Sequence, residues 1–240
     1  MKYVAFIGSP GRMPQEAVAV MNRDLPAYLK EMDSRGVRLF GRELELPETA
    51  ATVRVRGGET LVTDGPFAET KEHVAGLDLL ECADLDEAIE VEAKSPVARF
   101  LPFEIRPWDE VRLGPGASAF ARGDDSAGQP YLLISWIGGS SAAPVGDQTV
   151  MQESDIWRQR LEARGVFVLG NALVGPESAT TLRFCDGELR LSDGPFLDIQ
   201  EFIGGIDVLS CADRQQAIEL AAAHPIARYH AIELRAFYSE

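Results

Sequence analysis

The chain has 240 residues, 45% hydrophobic and 25% charged, the profile of a soluble globular protein long enough for a sizeable core. A formal net charge of −15 repels phosphate groups, and no run of Lys or Arg offsets it, so we expect no nucleic-acid or membrane partner. The N-terminal apolar run is too short for a signal peptide and no segment is long enough to span a bilayer, which indicates a cytoplasmic protein. The three cysteines lack the CxxC spacing of disulfide or zinc frameworks.

The first elements along the chain are a strand and a helix. A compact apolar run at 2–8 predicts a buried strand, and apolar residues then recur at helical spacing. This stripe consists of Leu25, Tyr28, Leu29 and Met32. Because proline is tolerated only near the first turn of a helix, Pro26 predicts that the helix begins at Asp24 or Leu25. Gly36 stands where a left-handed terminating residue is wanted.

A hairpin and a second strand–helix–strand unit follow. TVRVR, the pair Gly57-Gly58 and ETLVT predict two strands joined by a tight turn. Asp84 opens a later helix, and Glu87 completes its capping box. The remaining strands are expected at 37–44, 76–82 and 103–108.

The sequence is duplicated with an offset of 129 residues. The tetrapeptide Asp-Gly-Pro-Phe (DGPF) occurs at 64–67 and again at 193–196, and roughly thirty positions of the stretch 35–106 agree with the second copy without a gap. A repeat of this length indicates two duplicated domains and not a solenoid.

The order of elements predicts an α+β fold of two tandem ferredoxin-like domains. We expect the first domain at 1–108, a Gly-, Ala-, Ser- and Asp-rich linker at 109–130, and the second domain at 131–240. The helices of each domain pack on one face of its sheet, so the other, apolar face must be shielded from water by a second layer. We therefore expect the domains to pack sheet to sheet as an intrachain pseudo-dimeric α/β barrel, with a further homodimer left open.

The stretch ATVRVRGGETLVTDGPFAETKEHVAG resembles the YCII-related (DGPF-domain) family, and the resemblance extends over both copies. It implies a fold of the dimeric α/β-barrel superfamily, in which ligands bind in a cavity between sheet and helices. It also implies that Asp64 pairs with a histidine, for which His73 is the nearest candidate, although a lone histidine is more often a solvent-facing loop residue. The second copy has Phe202 at that position and reads LDIQE after DGPF, so its site is altered or idle.

The DGPF loop has a structural and a functional interpretation. In the structural interpretation the motif is a turn: the Asp accepts backbone hydrogen bonds, the Gly adopts unusual backbone angles and the Pro fixes φ. Phe67 or Phe196 then packs into the core and holds the loop in place. As a site, it places the catalytic candidates Asp64 and Asp193 in a partly dry cavity, where a carboxylate with a raised pKa acts as a general acid or base.

Two further aspartates interrupt otherwise apolar strands. Asp78 and Asp207 stand at equivalent places, GLDLL and GIDVL, on the same strand face as Leu80 and Leu209, respectively. A buried carboxylate needs a partner, and we expect Arg54 or Arg106 for Asp78. For Asp207 the expected partner is Arg183 or Arg235. These groups form a structural ion pair in each half or, alternatively, a polar cavity wall that orients a ligand.

The leading hypothesis is binding of a small organic molecule, with cofactor-free lyase- or isomerase-like chemistry at Asp64 if the protein is an enzyme. The ligand-binding candidates are Asp78, Asp207, Arg54, Arg183, Phe67 and Phe196. No phosphate loop, dinucleotide fingerprint or catalytic triad appears, and Glu69, Glu72 and His73 lack diagnostic metal-ligand spacing, so we expect no cofactor and no metal. The alternative is a non-catalytic regulatory or interaction module in a sigma-factor-linked stress circuit.

Overall fold

Strands and helices follow one another in the same order in both copies of the repeat. The computed structural model describes residues 1–11, 13, 15–68, 70–138, 147–197 and 199–239. The first copy contains β1 (Lys2–Ser9), α1 (Gln15–Arg35), β2 (Arg38–Glu43), β3 (Ala51–Arg56), β4 (Glu59–Asp64), β5 (His73–Glu81), α2 (Leu85–Lys94) and β6 (Phe103–Pro107). The segment between the copies contains β7 (Arg112–Leu113) and α3 (Ala117–Ala121). The second copy contains β8 (Gln129–Ile137), α4 (Gln148–Ala163), β9 (Phe167–Ala172), β10 (Thr180–Cys185), β11 (Glu188–Asp193), β12 (Phe202–Cys211), α5 (Arg214–Ala223) and β13 (Ala231–Ala236).

These strands form two antiparallel sheets that confirm the α+β prediction with tandem ferredoxin-like topology. In the first sheet the strands lie in the order β11-β10-β6-β1-β5-β2, and in the second in the order β4-β3-β13-β8-β12-β9-β7. In both, the four strands that flank the two helices of a copy take the spatial order fourth, first, third, second. The sequence repeat is therefore also a repeat of topology.

The hairpin of each copy joins the sheet of the other copy. Strand β10 pairs with β6, Thr180 opposite Ile105, and β3 pairs with β13, Val53 opposite Ile232. Two compact units result: unit 1 comprises Met1–Glu43, Thr70–Asp109 and Val174–Asp198, and unit 2 comprises Leu44–Glu69, Glu110–Leu173 and Ile199–Glu240. Each unit is thus built from both copies. The predicted domain limits and the sheet-to-sheet packing stay predictions.

The local end signals of the helices are confirmed, but the start of α1 is not. The Glu87 N–H donates to Asp84 Oδ1 at 2.9 Å, as the capping box predicts, and Gly36 has a φ of 67° after α1. Helix α1 begins at Gln15 and continues through Pro26, contrary to the predicted start at Asp24 or Leu25. The missing N–H of Pro26 costs one backbone hydrogen bond, which this long helix tolerates.

The segment between the copies is ordered against unit 2. Strand β7 pairs with β9, Arg112 opposite Gly170, and Phe120 of α3 is buried edge-on against Phe237, with 5.0 Å between ring centroids. The composition predicted a linker at 109–130, and these contacts hold most of that segment against one unit. A few well-placed apolar residues were enough to order a Gly- and Ala-rich stretch.

Each unit has an apolar core between its helices and one face of its sheet. In unit 1, Phe103 and Ile105 of β6 pack in this core with Met32 of α1. In unit 2, Ile232 and Leu234 of β13 pack in the corresponding core. Because side chains alternate along a strand, the residues between them in β6 and β13 lie on the sheet face opposite the helices. Among the described residues, no helix combines the length and apolarity needed to cross a membrane.

Candidate functional site

Each DGPF loop is anchored on a buried glutamate from the other copy. The Phe67 N–H donates to Glu233 Oε2 at 3.1 Å, and the Phe196 N–H donates to Glu104 Oε2 at 3.2 Å. Glu104 and Glu233 are equivalent residues of the two copies, 1% and 2% exposed, on the sheet face opposite the helices. Each exchanged hairpin thus ends in a DGPF loop whose backbone bonds to the equivalent buried glutamate, which accounts for the two occurrences of the motif.

The glycine of each motif supports the structural interpretation of the loop. Gly65 has a φ of 98° and Gly194 a φ of 91°, a left-handed conformation that favours glycine. The Gly65 N–H donates to the Ala50 carbonyl at 2.9 Å, and the Thr52 hydroxyl donates to the Gly65 carbonyl at 3.2 Å. The equivalent bonds at Gly194 measure 2.9 and 2.7 Å. Backbone geometry thus accounts for the loop without any chemistry.

An arginine two residues on neutralises each anchoring glutamate. Arg106 Nε donates to Glu104 Oε1 at 2.7 Å, and Arg235 forms an ion pair with Glu233. All four side chains are buried, so each pair is removed from water and its stability depends on the close contact of the two charged groups. In unit 2 the Trp136 indole N–H is a further donor to Glu233 Oε2, at 3.2 Å.

The two DGPF aspartates lie in solvent. The Asp64 side chain is 87% exposed and accepts a hydrogen bond from Arg214 at 3.0 Å, and Asp193 is also exposed. The partly dry cavity of the acid–base hypothesis is therefore not where the structure places them. His73 is half-buried at the start of β5 in unit 1, whereas Asp64 belongs to unit 2.

Asp78 and Asp207 are buried and ion-paired, but with arginines other than those predicted. Arg38 of β2 lies 2.7 Å from Asp78, and Arg158 of α4 lies 2.6 Å from Asp207. The predicted partners Arg106 and Arg235 were wrong because alternation places them on the opposite sheet face; the predicted partners Arg54 and Arg183 lie in the exchanged hairpins.

The pair in unit 2 belongs to a buried network that includes a histidine. Arg158 Nε donates to Asp207 Oδ1, and His224 Nε2 lies 3.5 Å from Asp207 Oδ2. His224 Nδ1 accepts the Ile226 N–H at 3.1 Å, which places the proton of the neutral ring on Nε2, facing the carboxylate. Burial opposes the charge of Asp207, but Arg158 and His224 outweigh burial and lower its pKa to about 2. Burial also lowers the pKa of His224.

The corresponding region of unit 1 holds an extra carboxyl group that sequence reasoning missed. Glu92 of α2 is fully buried, and no described residue donates to either of its carboxyl oxygens; the Tyr28 hydroxyl likewise has no partner there. Burial, and next the neighbouring Asp78, raise the pKa of Glu92 well above its ordinary value. The position four residues after the buried Ala88 was the available signal, since it places Glu92 on the inner face of α2.

The two equivalent hairpin arginines have different surroundings. In unit 1, Arg183 forms a bidentate ion pair with Glu72, with both N–O distances 2.7 Å. In unit 2, the Arg54 guanidinium lies over the Phe67 ring, 5.3 Å from its centroid, and no described carboxylate forms an ion pair with it. The Phe67 ring also stacks on Trp136, with centroids 5.3 Å apart and planes at 17°. We call Arg54, Phe67 and Trp136 the Arg54 site.

No metal centre is visible in the described parts of the chain, where no three His, Cys, Asp or Glu side chains gather around one point. Glu72, a weak candidate by sequence, is the partner of Arg183, and Glu69 lies outside the described residues.

Exchanged hairpins, each closed by a DGPF loop on a buried Glu–Arg pair, define a tandem two-unit α+β protein. The chain belongs to the YCII-related domain family, whose model matches residues 1–109 and 140–238. An uncharacterized protein of Rhizobium meliloti (strain 1021) is 59% identical over 68 residues, 28% of this chain and 55% of that protein, so the chain spans about half of its relative.

A solved structure described as "Putative Chlorite dismutase TA0507" covers 99% of this chain and 95% of its own, at 9% identity and a TM-score of 0.40. A likeness at this level carries no conclusion about fold or activity.

Proposed function

We propose that the protein binds a small organic molecule at the Arg54 site. The observation that carries the proposal is a half-buried guanidinium on an aromatic platform without a carboxylate partner among the described residues. Burial and then the nearby Arg56 lower the pKa of Arg54, and Glu201 opposes them, yet a guanidinium stays charged at any physiological pH. A partly desolvated guanidinium that forms no ion pair with any described carboxylate is suited to recognise the polar group of a ligand.

The aromatic pair gives the site rigidity as well as apolar surface. Phe67 is fixed by its backbone bond to Glu233, and Trp136 is fixed by its indole bond to the same carboxylate. Both rings are therefore oriented before any ligand arrives, which reduces the entropy lost on binding. We assign no acid–base step to Asp64, because its exposure to water offers no low-dielectric environment.

A metabolite thermal-shift screen tests the proposal. We expect at least one compound to raise the Tm of the wild type by several degrees and to lose this effect in Arg54→Gln, because the ligand contacts the guanidinium. The matched control is Arg183→Gln, which removes the equivalent but occupied arginine and should leave the shift unchanged. Asp64→Asn and Asp193→Asn should also respond like the wild type. Equal shifts in Arg54→Gln and the wild type for every hit would disprove the site.

The edge strands favour a second candidate, an interaction module whose partner is another copy of this chain. Strands β4 and β11 each close one end of a sheet and are exposed along their whole length. Both carry exposed apolar side chains, among them Leu61 and Leu191. An exposed strand edge with apolar residues is a template for pairing with another strand.

Light scattering coupled to size exclusion tests this second candidate. If edge strands pair between copies, the wild type is a dimer, and Leu61→Lys or Leu191→Lys should shift it to the monomer, since a lysine blocks edge pairing. Met151→Lys, on an exposed position of α4, is the control and should keep the dimer. A wild type that stays monomeric at high micromolar concentration would rule the candidate out.

A further inference from the structure

Arg183 of unit 1 forms an ion pair, whereas the equivalent Arg54 of unit 2 forms none with the described residues. Arg54 and Arg183 hold the same place in β3 and β10, and each lies in the same hairpin as a DGPF loop. At Arg183 the fork of the guanidinium is filled by both oxygens of Glu72, the geometry in which arginine binds carboxylates most strongly. Arg183 Nη2 also reaches the Phe196 carbonyl at 3.4 Å.

The second copy retains the glutamate but not the ion pair. Glu201 corresponds to Glu72 in the repeat, and its charge opposes the fall in the Arg54 pKa, so it lies in the neighbourhood of that guanidinium. Within the described residues, however, neither Glu201 nor any other carboxylate bonds to Arg54. Equivalent arginine and glutamate positions therefore form an ion pair in unit 1 and, within the described residues, none in unit 2.

We infer, resting on the proposed function, that the ligand is a small organic acid whose carboxylate takes at Arg54 the place that Glu72 takes at Arg183. Glu72 is then an internal substitute for the ligand and closes the site of unit 1. Of the two equivalent arginines, only Arg54 then takes a ligand.

The surroundings of Arg54 indicate the rest of the molecule. Leu61 lies directly opposite Arg54 in β4, hence on the same sheet face, and is 48% exposed. The guanidinium lies over the Phe67 ring, and the same ring stacks on Trp136, so two aromatic side chains lie next to the charged group. In unit 1 the position of Trp136 is held by Ile7, which offers no such ring. One carboxylate joined to an apolar or aromatic body fits these contacts.

Benzoate and benzamide are suitable probes, because they share a shape and differ in charge. The readout is the NMR signal of the arginine Nε–H groups, assigned through Arg54→Gln and Arg183→Gln. In the wild type we expect benzoate to shift the Arg54 signal saturably and to leave the Arg183 signal in place, and benzamide to shift neither. In Glu72→Gln we expect benzoate to shift both signals, because the internal carboxylate has been removed.

Glu201→Gln is the matched variant in the other copy. Removing a like charge near the bound carboxylate should tighten benzoate binding by a few-fold without creating a second site. Equal responses to benzoate and benzamide, or an Arg183 signal that stays silent in Glu72→Gln, would overturn the inference. If Arg54 responds to benzoate only after Glu201 is replaced, Glu201 already fills the site and the inference is also wrong.

The inference and the proposed function fail in different ways. If neither probe shifts the Arg54 signal while neutral or cationic compounds give Arg54-dependent thermal shifts, the inference of a carboxylate ligand is wrong but the proposed binding site remains supported. If no compound of any charge gives an Arg54-dependent shift, the proposed function itself is wrong.

Discussion

Replacing Glu233 by alanine is expected to destabilise the protein by about 3–5 kcal/mol, the usual cost of breaking a buried ion pair from one side. The substitution removes the carboxylate that neutralises Arg235, and it deprives the Phe67 and Trp136 N–H groups of their acceptor. We therefore expect the loop at 64–68 to exchange its amide hydrogens faster, together with a lower midpoint of urea unfolding.

The equivalent residue of the other copy supplies the control. Glu104 anchors Phe196 and pairs with Arg106, but Ile7 stands where unit 2 has Trp136, so no indole bond is lost in Glu104→Ala. Its cost should be smaller than that of Glu233→Ala by about 1 kcal/mol, one hydrogen bond. Glu233→Gln retains an acceptor oxygen and should keep the loop protected while losing the ion pair. A cost below 1 kcal/mol for Glu233→Ala would show that the DGPF loop has another anchor.

The ferredoxin-like order of strands could be predicted because it depends on local patterns. Apolar periodicity, the capping residues Asp84 and Asp213, and the turn glycines each act within a few residues. The exchange of hairpins could not be predicted this way. A hairpin has the same alternating pattern whichever sheet edge it joins, and here the edges of β6 and β13 are themselves copies of one sequence.

The candidate site shows the same division between local and long-range information. Because a buried carboxylate requires a cationic partner, the sequence predicted such partners for Asp78 and Asp207, and the structure confirms them. It did not identify Arg38 and Arg158, because one comes from a strand and the other from a helix although the aspartates are equivalent. The two copies neutralise equivalent aspartates with arginines at non-equivalent positions. Strict use of alternation would have excluded Arg106 and Arg235 from the start.

Replacing Arg158 by leucine is expected to cost about 3–5 kcal/mol at neutral pH and to reverse the effect of acid on stability. Leucine is the residue that copy one has at the equivalent position, Leu29, so the change suits the helix. In the wild type the pKa of Asp207 is about 2, below its ordinary 3.8. A lowered pKa means that the stabilisation, about 2 kcal/mol, is present above pH 3.8 and is lost as the pH falls towards 2.

Without Arg158, only His224 opposes the effect of burial, and we expect burial to dominate and to raise the folded-state pKa of Asp207 above its ordinary value. The effect of pH on stability then changes sign, because a carboxyl group whose pKa is raised by folding stabilises the folded state at low pH. This stabilisation is lost as the pH rises through the raised pKa. The other described groups that act here are His224 beside Asp207, Asp155, 3.5 Å from Arg158 Nη1, and Arg228, whose charge lowers the pKa of His224. Proton uptake by His224 next to an unpaired Asp207 acts in the same direction, so we expect Arg158→Leu to gain stability on mild acidification.

Urea unfolding between pH 3 and pH 8 measures both effects. The double variant Arg158→Leu/Asp207→Leu is the control: it removes both charges from an apolar environment, and we expect most of the lost stability to return, with a weaker dependence on pH. If Arg158→Leu costs less than 1 kcal/mol, or loses stability in acid as the wild type does, Asp207 has a second charged partner that is as strong as Arg158. The expected recovery in the double variant would show that the charged network adds little net stability, and that the stability of unit 2 comes chiefly from its apolar residues.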